Sequence, residues 1–589
     1  MTPGEARPEL RWPGKHGALV PGPSLTLACE QQVGPPGRDP DLLICADNLL
    51  AMDALLATHA GAVDLIYLDP PFATGHDFVH TRAREGDDGE PRGEFQTHAY
   101  HDRWPGGLAG FLRMLEPRLR LAHRLLAPHG SLYLHVDPTV GHYAKLVLDE
   151  IFGPACFQRE IVWRIGWLSG FKTRANNWIR NHDLLFFYTR DPARFTFHKQ
   201  YVPHPEGYRR RDGKSPSGRG VPMEDVWNAN SAEFALRGKD SLDSIQIKSF
   251  SREKTGWATQ KNTSLLRRII AASSNPGDLV ADFFCGSGTT LVAAAELGRR
   301  FIGCDCAPAA VELAHARLAA HGPTDMSESA ARFDRLGLGV GERQVWLGAG
   351  GPDEHITRLL RHHGAQPLAP ATPPALHGQR DDHGVLIGPH DAPISRAAVL
   401  AALRECAGRQ LPALDVLAWD FAFPADDDLS SGTGIDLCCL QIRRELLDDR
   451  CRDGAALGER PGFHFTWTAV PAGAHAVQLA LTGATLRHPE RLAPGLRAAL
   501  VDWRAVVESW SVEFAADPLH APLRPDQRWH RTRQQPSLGL LAAPHSYPGP
   551  GPFLARIRVV DCFGAAHELG FTVAWREGQL SIAPAPDPR

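Results

Sequence analysis

Two short motifs in this chain carry groups that could handle an aromatic amine and a charged small molecule. The first is Asp69-Pro70-Pro71-Phe72, which follows the apolar run 63–68. The second spans residues 282–290 and leads from another apolar run into a glycine-rich turn, Gly286-Ser287-Gly288. A carboxylate beside two prolines and an aromatic ring can grip a flat ring that bears an amine. A strand that enters a glycine turn and then a helix makes a pocket for a nucleotide-like ligand.

The first motif suits methylation of an exocyclic amine on adenine or cytosine. The nitrogen of such an amine is a weak nucleophile because its lone pair is delocalised into the ring. The Asp69 carboxylate and the Pro70 carbonyl can accept its two N–H groups and localise that pair, and Pro70 and Pro71 keep the turn rigid. Phe72 can stack on a base that has left the duplex. The nitrogen then attacks a sulfonium methyl directly, so we assign no nucleophilic role to any cysteine, including Cys285.

The second motif has the features of a cofactor pocket. Its glycines let the backbone approach a ligand, and the start of the next helix offers N–H groups to a carboxylate. Asp282 can accept from an α-ammonium group, and Asp305 stands where an acidic residue binds ribose hydroxyls in doubly wound folds. A dinucleotide-binding fold is the competing interpretation, which the order of the two motifs disfavours. The predicted cofactor residues here are Asp282, Phe284, Cys285, Gly286, Ser287, Gly288, Thr289, Thr290 and Asp305.

Alternating strands and helices must position both motifs. Apolar runs of strand length occur at 42–46, 63–68, 131–136, 279–283 and 301–304, and helical spacing occurs at 49–56, 111–126, 290–297 and 307–319. This alternation predicts a doubly wound, Rossmann-like α/β fold whose parallel sheet is covered on both faces. We expect the catalytic half at residues 41–156 and the cofactor half at 251–322.

The segment between these halves is basic and rich in aromatic residues. Residues 157–220 contain thirteen Lys and Arg against five Asp and Glu, a local net charge of +8. A solvated insertion is the plain alternative, but an insert at 157–250 that grips phosphates and reads a target is the interpretation we favour. The residues predicted to contact DNA are Arg164, Lys172, Arg174, Arg209, Arg210 and Arg211. Trp163 and Trp178 could simply belong to the core.

Residues from about 41 to 320 resemble the β-class of N6-adenine/N4-cytosine DNA methyltransferases, which includes type III modification subunits. Further blocks carry the resemblance: Ala46-Asp47-Asn48-Leu49, Asn181-His182-Asp183-Leu184-Leu185, and residues 254–261. The resemblance implies S-adenosylmethionine as the cofactor, a catalytic role for Asp47 near the flipped base, and contacts of Thr259 and Lys261 with the cofactor. The sequence departs from the family pattern at Ala46, Ala73, Ala258 and Asn262, none of which removes a group that the chemistry requires.

The resemblance implies a site-specific DNA methyltransferase with double-stranded DNA as its substrate. Asp rather than Ser before Pro-Pro favours N6 of adenine, and N4 of cytosine is the alternative. A catalytically silent subunit that binds DNA or a partner in a restriction or defence complex is the rival from another class. For His182 and Asp183 a structural role is as good an interpretation as a catalytic one, and for His135 and Asp137 it is the better one.

Bulk properties leave this interpretation open. The 589 residues are 43% hydrophobic and 22% charged, an ordinary globular composition, and the net charge of −4 gives no hint of nucleic acid. Eleven scattered cysteines without metal-like spacing indicate a reduced environment and no metal site. We find no apolar run long enough to span a membrane and no signal core, so we expect a cytoplasmic, nucleoid-associated prokaryotic protein.

The remaining boundaries follow changes in composition. Residues 1–40 are rich in Pro and Gly, and 323–412 read as a linker with short structured segments. Residues 413–589 are rich in predicted strands, including 416–423 and 435–442, and predict a mainly-β domain, a sandwich. Its closing part, residues 545–564, resembles immunoglobulin-like modules of the PKD type. This domain could contact DNA, form a homodimer, or dock a restriction or helicase partner, and the sequence does not choose among them.

Overall fold

The computed structural model describes most of the chain. The described residues are 9–15, 25–33, 39–85, 91–164, 176–204, 207, 209–228, 251, 253–320, 332–368, 375–423, 429–447, 457–459, 462–487, 497, 502–516, 523–531, 538–562 and 566–585. Within these ranges, no helix is long and apolar enough to cross a membrane.

A ten-stranded sheet with helices on its two faces forms the first part of the chain. Its elements and their neighbours, in chain order, are β1 (Ala28–Val33), β2 (Asp41–Cys45), α1 (Asn48–His59), β3 (Val63–Leu68), β4 (Asp77–Glu85), β5 (Pro91–His101), α2 (Leu108–Leu125), β6 (Leu126–Val136), α3 (Pro138–Phe152), β7 (Phe157–Arg164), β8 (His182–Thr189), β9 (Tyr201–Val202), β10 (Val221–Pro222), β11 (Val226–Trp227), α4 (Thr263–Ser273), β12 (Leu279–Asp282), α5 (Thr289–Glu296), β13 (Arg300–Asp305), α6 (Pro308–Ala320) and β14 (Phe333–Gly337). The strand order is β1-β14-β2-β13-β12-β3-β6-β8-β7-β11.

The centre of this sheet is parallel and buried on both faces, as its continuous apolar strands predict. Leu65 and Ile66 are successive residues of β3, and their side chains enter different cores because neighbours along a strand point to opposite faces. One core contains buried residues of α1, α2 and α3, and the other contains those of α4, α5 and α6. The doubly wound α/β fold is therefore confirmed.

The register of this sheet brings the two halves of the sequence together. β12 lies between β3 and β13, and it pairs in parallel with both, Asp282 opposite Tyr67 and Gly303. β2 follows on the far side of β13, with Cys45 opposite Asp305. The carboxyl ends of β2, β3, β12 and β13 consequently share one edge, which is where ligands bind in open α/β sheets.

Three further sheets follow in the chain. Their elements are α7 (Val340–Leu347), α8 (Gly351–His363), β15 (Gln366–Pro367), β16 (Gly378–Arg380), β17 (His383–Ile387), α9 (Arg396–Gly408), β18 (Ala413–Ala418), β19 (Asp436–Ile442), β20 (Leu457–Glu459), β21 (Gly462–Gly473), β22 (Ala476–Arg487), β23 (Val507–Glu513), β24 (Gln527–His530), β25 (His545–Ser546), β26 (Phe553–Asp561), β27 (Ala566–Arg576) and β28 (Gln579–Pro584).

The first of these sheets contains six strands in the order β15-β16-β17-β18-β19-β20. β17, β18 and β19 are parallel, and α9 makes the crossover from β17 to β18. This sheet crosses the predicted boundary at 412/413. The predicted strands 416–423 and 435–442 thus belong to a second α/β unit rather than to the C-terminal sandwich.

The last part of the chain is a β-sandwich with a single apolar core. Residues of β21 and β22 on one sheet and of β23, β26 and β27 on the other share that core, and Trp467 and Phe571 lie 4.2 Å apart between ring centroids. The sandwich also contacts the edge of the first sheet, where Arg558 donates to Gln31 at 2.9 Å. The resemblance of this unit to PKD-type modules stays a prediction.

Candidate active site

The predicted catalytic and cofactor residues meet in an open cavity at the shared edge of β2, β3, β12 and β13. Residues of the catalytic prediction that line it are Asp47, Asp69, Pro70, Pro71 and Phe72, and those of the cofactor prediction are Thr259, Lys261, Asp282, Phe284, Cys285, Gly286, Ser287, Thr289, Thr290 and Asp305. They converge because parallel strands end their loops on one side of a sheet. Gly288 is the one predicted residue of these two sets that does not line the cavity.

Asp69 lies at the floor of the cavity and is paired with a cation. The Lys261 ammonium donates to Asp69 Oδ2 at 2.6 Å and lies 5.1 Å from the centroid of the Phe72 ring. Both ends of the ion pair are largely shielded from water. Lys261 was predicted to face the cofactor, and the structure places its ammonium on the carboxylate that carries the proposed chemistry.

The loop after Phe72 is fastened by one buried carboxylate, Asp102. Its Oδ1 accepts from the Ala73 N–H at 2.8 Å and from the Trp104 ring N–H at 3.1 Å. Its Oδ2 accepts from the N–H and the hydroxyl of Thr74 at 2.8 and 2.6 Å. Ala73 has a φ of 57°, a left-handed conformation that disfavours a residue with a Cβ atom. Four hydrogen bonds therefore hold a strained loop next to the motif.

The Phe72 ring is backed by a buried polar chain. Its centroid lies 5.9 Å from that of the His135 ring. His135 Nδ1 is 2.8 Å from the Tyr67 hydroxyl, and its Nε2 is 3.4 Å from Asp183 Oδ2. Arg180 pairs with Asp137 at 2.7 Å and lies 3.5 Å from Asp183. His135, Asp137 and Asp183 thus support the aromatic face from behind, which agrees with the structural interpretation of these residues.

On the cofactor side, Asp282 is buried at the end of β12. Its Oδ1 accepts from the Phe284 N–H at 2.9 Å, and its Oδ2 accepts from the Thr290 hydroxyl. Burial raises the pKa of this carboxyl group to about 7, although both hydrogen bonds act in the opposite direction. A cationic ligand group nearby would favour the ionised form.

The two glycines of the turn, Gly286 and Gly288, have different structural roles. Gly286 has a φ of 49°, and a Cβ atom there would lie 3.1 Å from the ring nitrogen of Trp257, which covers the turn. Gly288 has a φ of 75° and caps α5, and a Cβ atom would come within 2.7 Å of the Ala314 Cβ on α6. Gly288 therefore permits close packing of two elements, whereas Gly286 faces the cavity.

Asp305 is the last residue of β13 and Asp47 follows β2, and both line the cavity. Asp305 accepts from the N–H groups of Gly286 and Ala307, each at 2.9 Å, and burial raises the pKa of its carboxyl group. Asp47 caps α1 by accepting from the Leu49 N–H at 2.7 Å, and its carboxylate pairs with Arg118 at 3.0 Å. Each carboxylate thus shapes a loop and also faces the ligand space.

Several lining residues were not predicted from the sequence. They include Asn48, Tyr67, Thr74, Phe78, Tyr100, His101, Asp102, Trp104, Met114, Arg118, Trp257, Gln260, Leu266, Phe283 and Cys306. Phe78 and Tyr100 stack at 4.8 Å between centroids, and the Tyr100 hydroxyl lies 3.0 Å from that of Thr259. Trp257 lies within residues 254–261, which carry part of the family resemblance, so its position in that segment could have indicated a place in the cavity. Phe78 and Tyr100 carry no comparable motif.

The predicted DNA-contacting residues are scattered over the insert. The Arg164 guanidinium lies 3.4 Å from the Asn228 carbonyl at the end of β7, while Arg209, Arg210 and Arg211 are exposed around a turn. Lys172 and Arg174 lie outside the described residues. Trp163 is fully buried, as a core residue would be, but Trp178 is 99% exposed and is not a core residue.

Comparisons with known proteins identify relatives of this chain. A family model described as DNA methylase matches residues 63–316. The type II methyltransferase M1.MboII of Moraxella bovis is 35% identical over 192 residues, covering 30% of this chain and 67% of that protein. M.EcaI of Enterobacter cloacae is 30% identical over 318 residues, covering 45% and 66%, and the DNA adenine methyltransferase YhdJ of Escherichia coli is 27% identical over 276 residues, covering 45% and 79%.

Modification subunits of type III restriction-modification enzymes match as well, one from Escherichia coli over 30% of its own length. This chain spans just under two thirds of M.EcaI, and the matches to M.EcaI and YhdJ each cover 45% of this chain.

Proposed function

This chain belongs to the DNA methylase family, and on that premise we propose that it transfers a methyl group from S-adenosylmethionine to the N6 amino group of adenine in DNA. One observation carries the proposal. Asp69 and Phe72 face the same cavity as the glycine turn and Asp305, although the two motifs are far apart in sequence. An acceptor for an amine and a pocket for a charged donor thus stand side by side.

The target amine is held by the clamp, by which we mean the Asp69 carboxylate and the Pro70 carbonyl. Accepting both N–H groups draws the nitrogen towards a tetrahedral geometry and localises its lone pair. Phe72 provides the stacking face for the flipped base, and the buried chain from Tyr67 to Asp183 keeps that ring in place. No covalent enzyme intermediate is needed.

The residues of the second motif fit the methyl donor. S-adenosylmethionine carries an ammonium, a carboxylate and a ribose, and when bound it supplies an electrophilic methyl group. Asp282 offers a buried carboxylate to the ammonium, Asp305 offers one to ribose hydroxyls, and the start of α5 offers N–H groups to the carboxylate. Gly286 lines the cavity, and its lack of a Cβ atom lets the Trp257 ring pack against the turn.

Adenine is favoured over cytosine on two grounds. Asp rather than Ser precedes the two prolines, and the relative YhdJ is described as a DNA adenine methyltransferase. Transfer to N4 of cytosine uses the same clamp and is the alternative. Methylation of short duplexes, followed by mass spectrometry of the nucleosides, distinguishes the two products.

The substrate is double-stranded DNA, which the insert contacts. The exposed Arg209, Arg210 and Arg211 suit the phosphate backbone, and the fully exposed Trp178 suits stacking on a base or in the gap that a flipped base leaves. The match to type III modification subunits suggests a restriction subunit as a further partner.

Asp69→Ala tests the proposal. Methyl transfer should fall to background, whereas binding of S-adenosylmethionine and DNA should stay largely intact, because the glycine turn and the insert are untouched. Asp53→Ala, on the exposed side of α1, is the control for substitution of a carboxylate. Methyl transfer by the Asp69→Ala variant at the wild-type rate would contradict the role of the clamp. An unmodified duplex after incubation with wild-type protein and cofactor would favour the catalytically silent alternative.

A further inference from the structure

A buried ion pair from outside the matched region supports the rim of the cavity. Glu342 lies on α7, and Arg444 lies in the single-turn helix Arg444–Leu447 after β19. Both residues lie beyond residues 63–316, the part that matches the family model. Arg444 Nε donates to Glu342 Oε2 at 2.8 Å, and its Nη2 donates to Oε1, so the pair is bidentate.

The pair also makes hydrogen bonds to the backbone of two loops of the cavity. Glu342 Oε1 also accepts from the backbone N–H of Asp47 at 2.8 Å. Arg444 Nη1 donates to the backbone carbonyl of Cys306, the residue after Asp305. Asp47 and Cys306 both line the cavity, in the loops that follow β2 and β13.

The environment makes these contacts strong. The Glu342 side chain is 7% exposed and that of Arg444 is 19% exposed. Hydrogen bonds that involve charged groups are stronger than neutral ones, and a bidentate guanidinium fixes orientation as well as distance. One rigid unit consequently holds two loops that belong to neighbouring strands of another sheet.

We propose that Glu342 and Arg444 are positioning residues of the cofactor site, so that the second α/β unit is required for tight binding of S-adenosylmethionine. This inference rests on the proposed function and adds a part of the chain that the family region does not contain. The pair acts through Asp47 and Cys306. It fixes the distance between the loop after β2 and the loop after β13, and Asp305 directly precedes the second of these loops. Losing it should weaken cofactor binding more than DNA binding.

A second ion pair provides a matched control for mere loss of stability. Arg556 pairs with Glu513 in the sandwich through Nε and Nη2 at 2.9 and 2.6 Å, and their side chains are 19% and 6% exposed. The residue types and the burial match those of Arg444 and Glu342, although both nitrogens of Arg556 donate to one oxygen, Oε2 of Glu513. Neither Arg556 nor Glu513 lines the cavity.

The experiment compares Arg444→Met with Arg556→Met in the full-length protein. Calorimetric titration with S-adenosylmethionine should give a dissociation constant raised by about tenfold or more for Arg444→Met, equivalent to about 1.4 kcal/mol, and an unchanged one for Arg556→Met. Thermal unfolding of both variants reports whether they lose similar stability. Arg444→Lys, which keeps the charge but not the fork, should fall between Arg444→Met and wild type.

Glu342→Gln is the second variant, because it keeps an acceptor for the Asp47 N–H and, like Arg444→Met, removes one unit of charge. It should weaken cofactor binding several-fold even if Arg444→Met fails to fold. Wild-type affinity in both Arg444→Met and Glu342→Gln would overturn the inference, as would equal losses in Arg444→Met and Arg556→Met. Failure of the wild-type protein itself to bind S-adenosylmethionine would refute the proposed function instead.

Discussion

Asp102→Asn should release the loop that follows Phe72 and slow methyl transfer, while the cofactor half of the cavity stays intact. The carboxylate is buried and accepts four hydrogen bonds, two at each oxygen. An Asn side chain has a single acceptor oxygen. If the NH₂ group replaces Oδ1, the N–H groups of Ala73 and Trp104 lose their acceptor. If it replaces Oδ2, the Thr74 N–H loses its acceptor, and the Thr74 hydroxyl must turn to accept instead of donate.

The size of the effect follows from this count. A hydrogen bond to a charged group contributes about 1.5–3 kcal/mol, so losing at least one, together with the charge that strengthens the others, removes roughly 3 kcal/mol from the attached loop. The left-handed Ala73 adds strain of about 1 kcal/mol that favours detachment. If the loss falls on the geometry of Phe72, 3 kcal/mol corresponds to a rate about a hundredfold lower.

Single-turnover transfer of a labelled methyl group to a duplex measures this rate, and calorimetric titration measures the affinity for S-adenosylmethionine, which should hardly change. Asp561→Asn is the control, because Asp561 is equally buried but lies in the sandwich, 2.9 Å from His567. A wild-type rate in Asp102→Asn would refute the reasoning. So would an equal loss of rate in Asp561→Asn.

Four further predictions use other parts of the molecule. Burial raises the pKa of Asp282 to about 7, so affinity for S-adenosylmethionine should fall as pH drops from 8 to 6 and the carboxylate is protonated, and titrations of Asp282→Asn should show a flatter profile. The same raised pKa means that the contribution of Asp282 to the free energy of unfolding is greatest at low pH and is lost as pH rises through about 7, which unfolding in urea at several pH values checks. Gly288→Ala should destabilise the protein by about 2 kcal/mol more than Gly298→Ala, because both glycines have positive φ but only the first would clash, with Ala314; equal losses in chemical denaturation would contradict this. Trp178→Ala should weaken binding of a fluorescent duplex roughly tenfold without changing the melting temperature, whereas Leu541→Ala, at another exposed apolar residue, should change neither.

The convergence of the two motifs could be predicted because it depends on strand order. Asp69 and Asp282 each end an apolar strand, and adjacent parallel strands place such ends together. The pairing of Lys261 with Asp69 could not be predicted in the same way. The family resemblance of residues 254–261 implied only that Lys261 contacts the cofactor. The direction of the Lys261 side chain depends on packing between segments that are far apart in sequence.

The second α/β unit shows a different limit. The six residues of β18 are buried on both faces, and an apolar run of that length fits a parallel strand and a sandwich strand equally well. Only the crossover helix α9 separates these alternatives, and its apolar spacing was not recognised. Arg444 and Glu342 carry no local signal either, because an ion pair across about a hundred residues leaves no pattern in sequence.

The two tryptophans of the insert show what periodicity can decide. Trp163 lies on β7, where alternate residues face the core, and it is buried. Trp178 lies among Asn176, Asn177 and Arg180, a polar stretch with no repeat, and it is exposed. The amino-acid composition of the insert does not distinguish Trp163 from Trp178, whereas the residues next to each of them in the sequence do.

The ion pair between Lys261 and Asp69 has a consequence for which bases are accepted. A carboxylate offers about four acceptor positions, and the Lys261 ammonium occupies one of them on Oδ2, so an incoming amine can donate to Asp69 without displacing the lysine. The amine then meets a carboxylate whose charge is already balanced, and it gains less from this contact than it would from an unpaired carboxylate. Discrimination among bases would therefore depend more on stacking against Phe72 and on the Pro70 carbonyl than on the charge of Asp69.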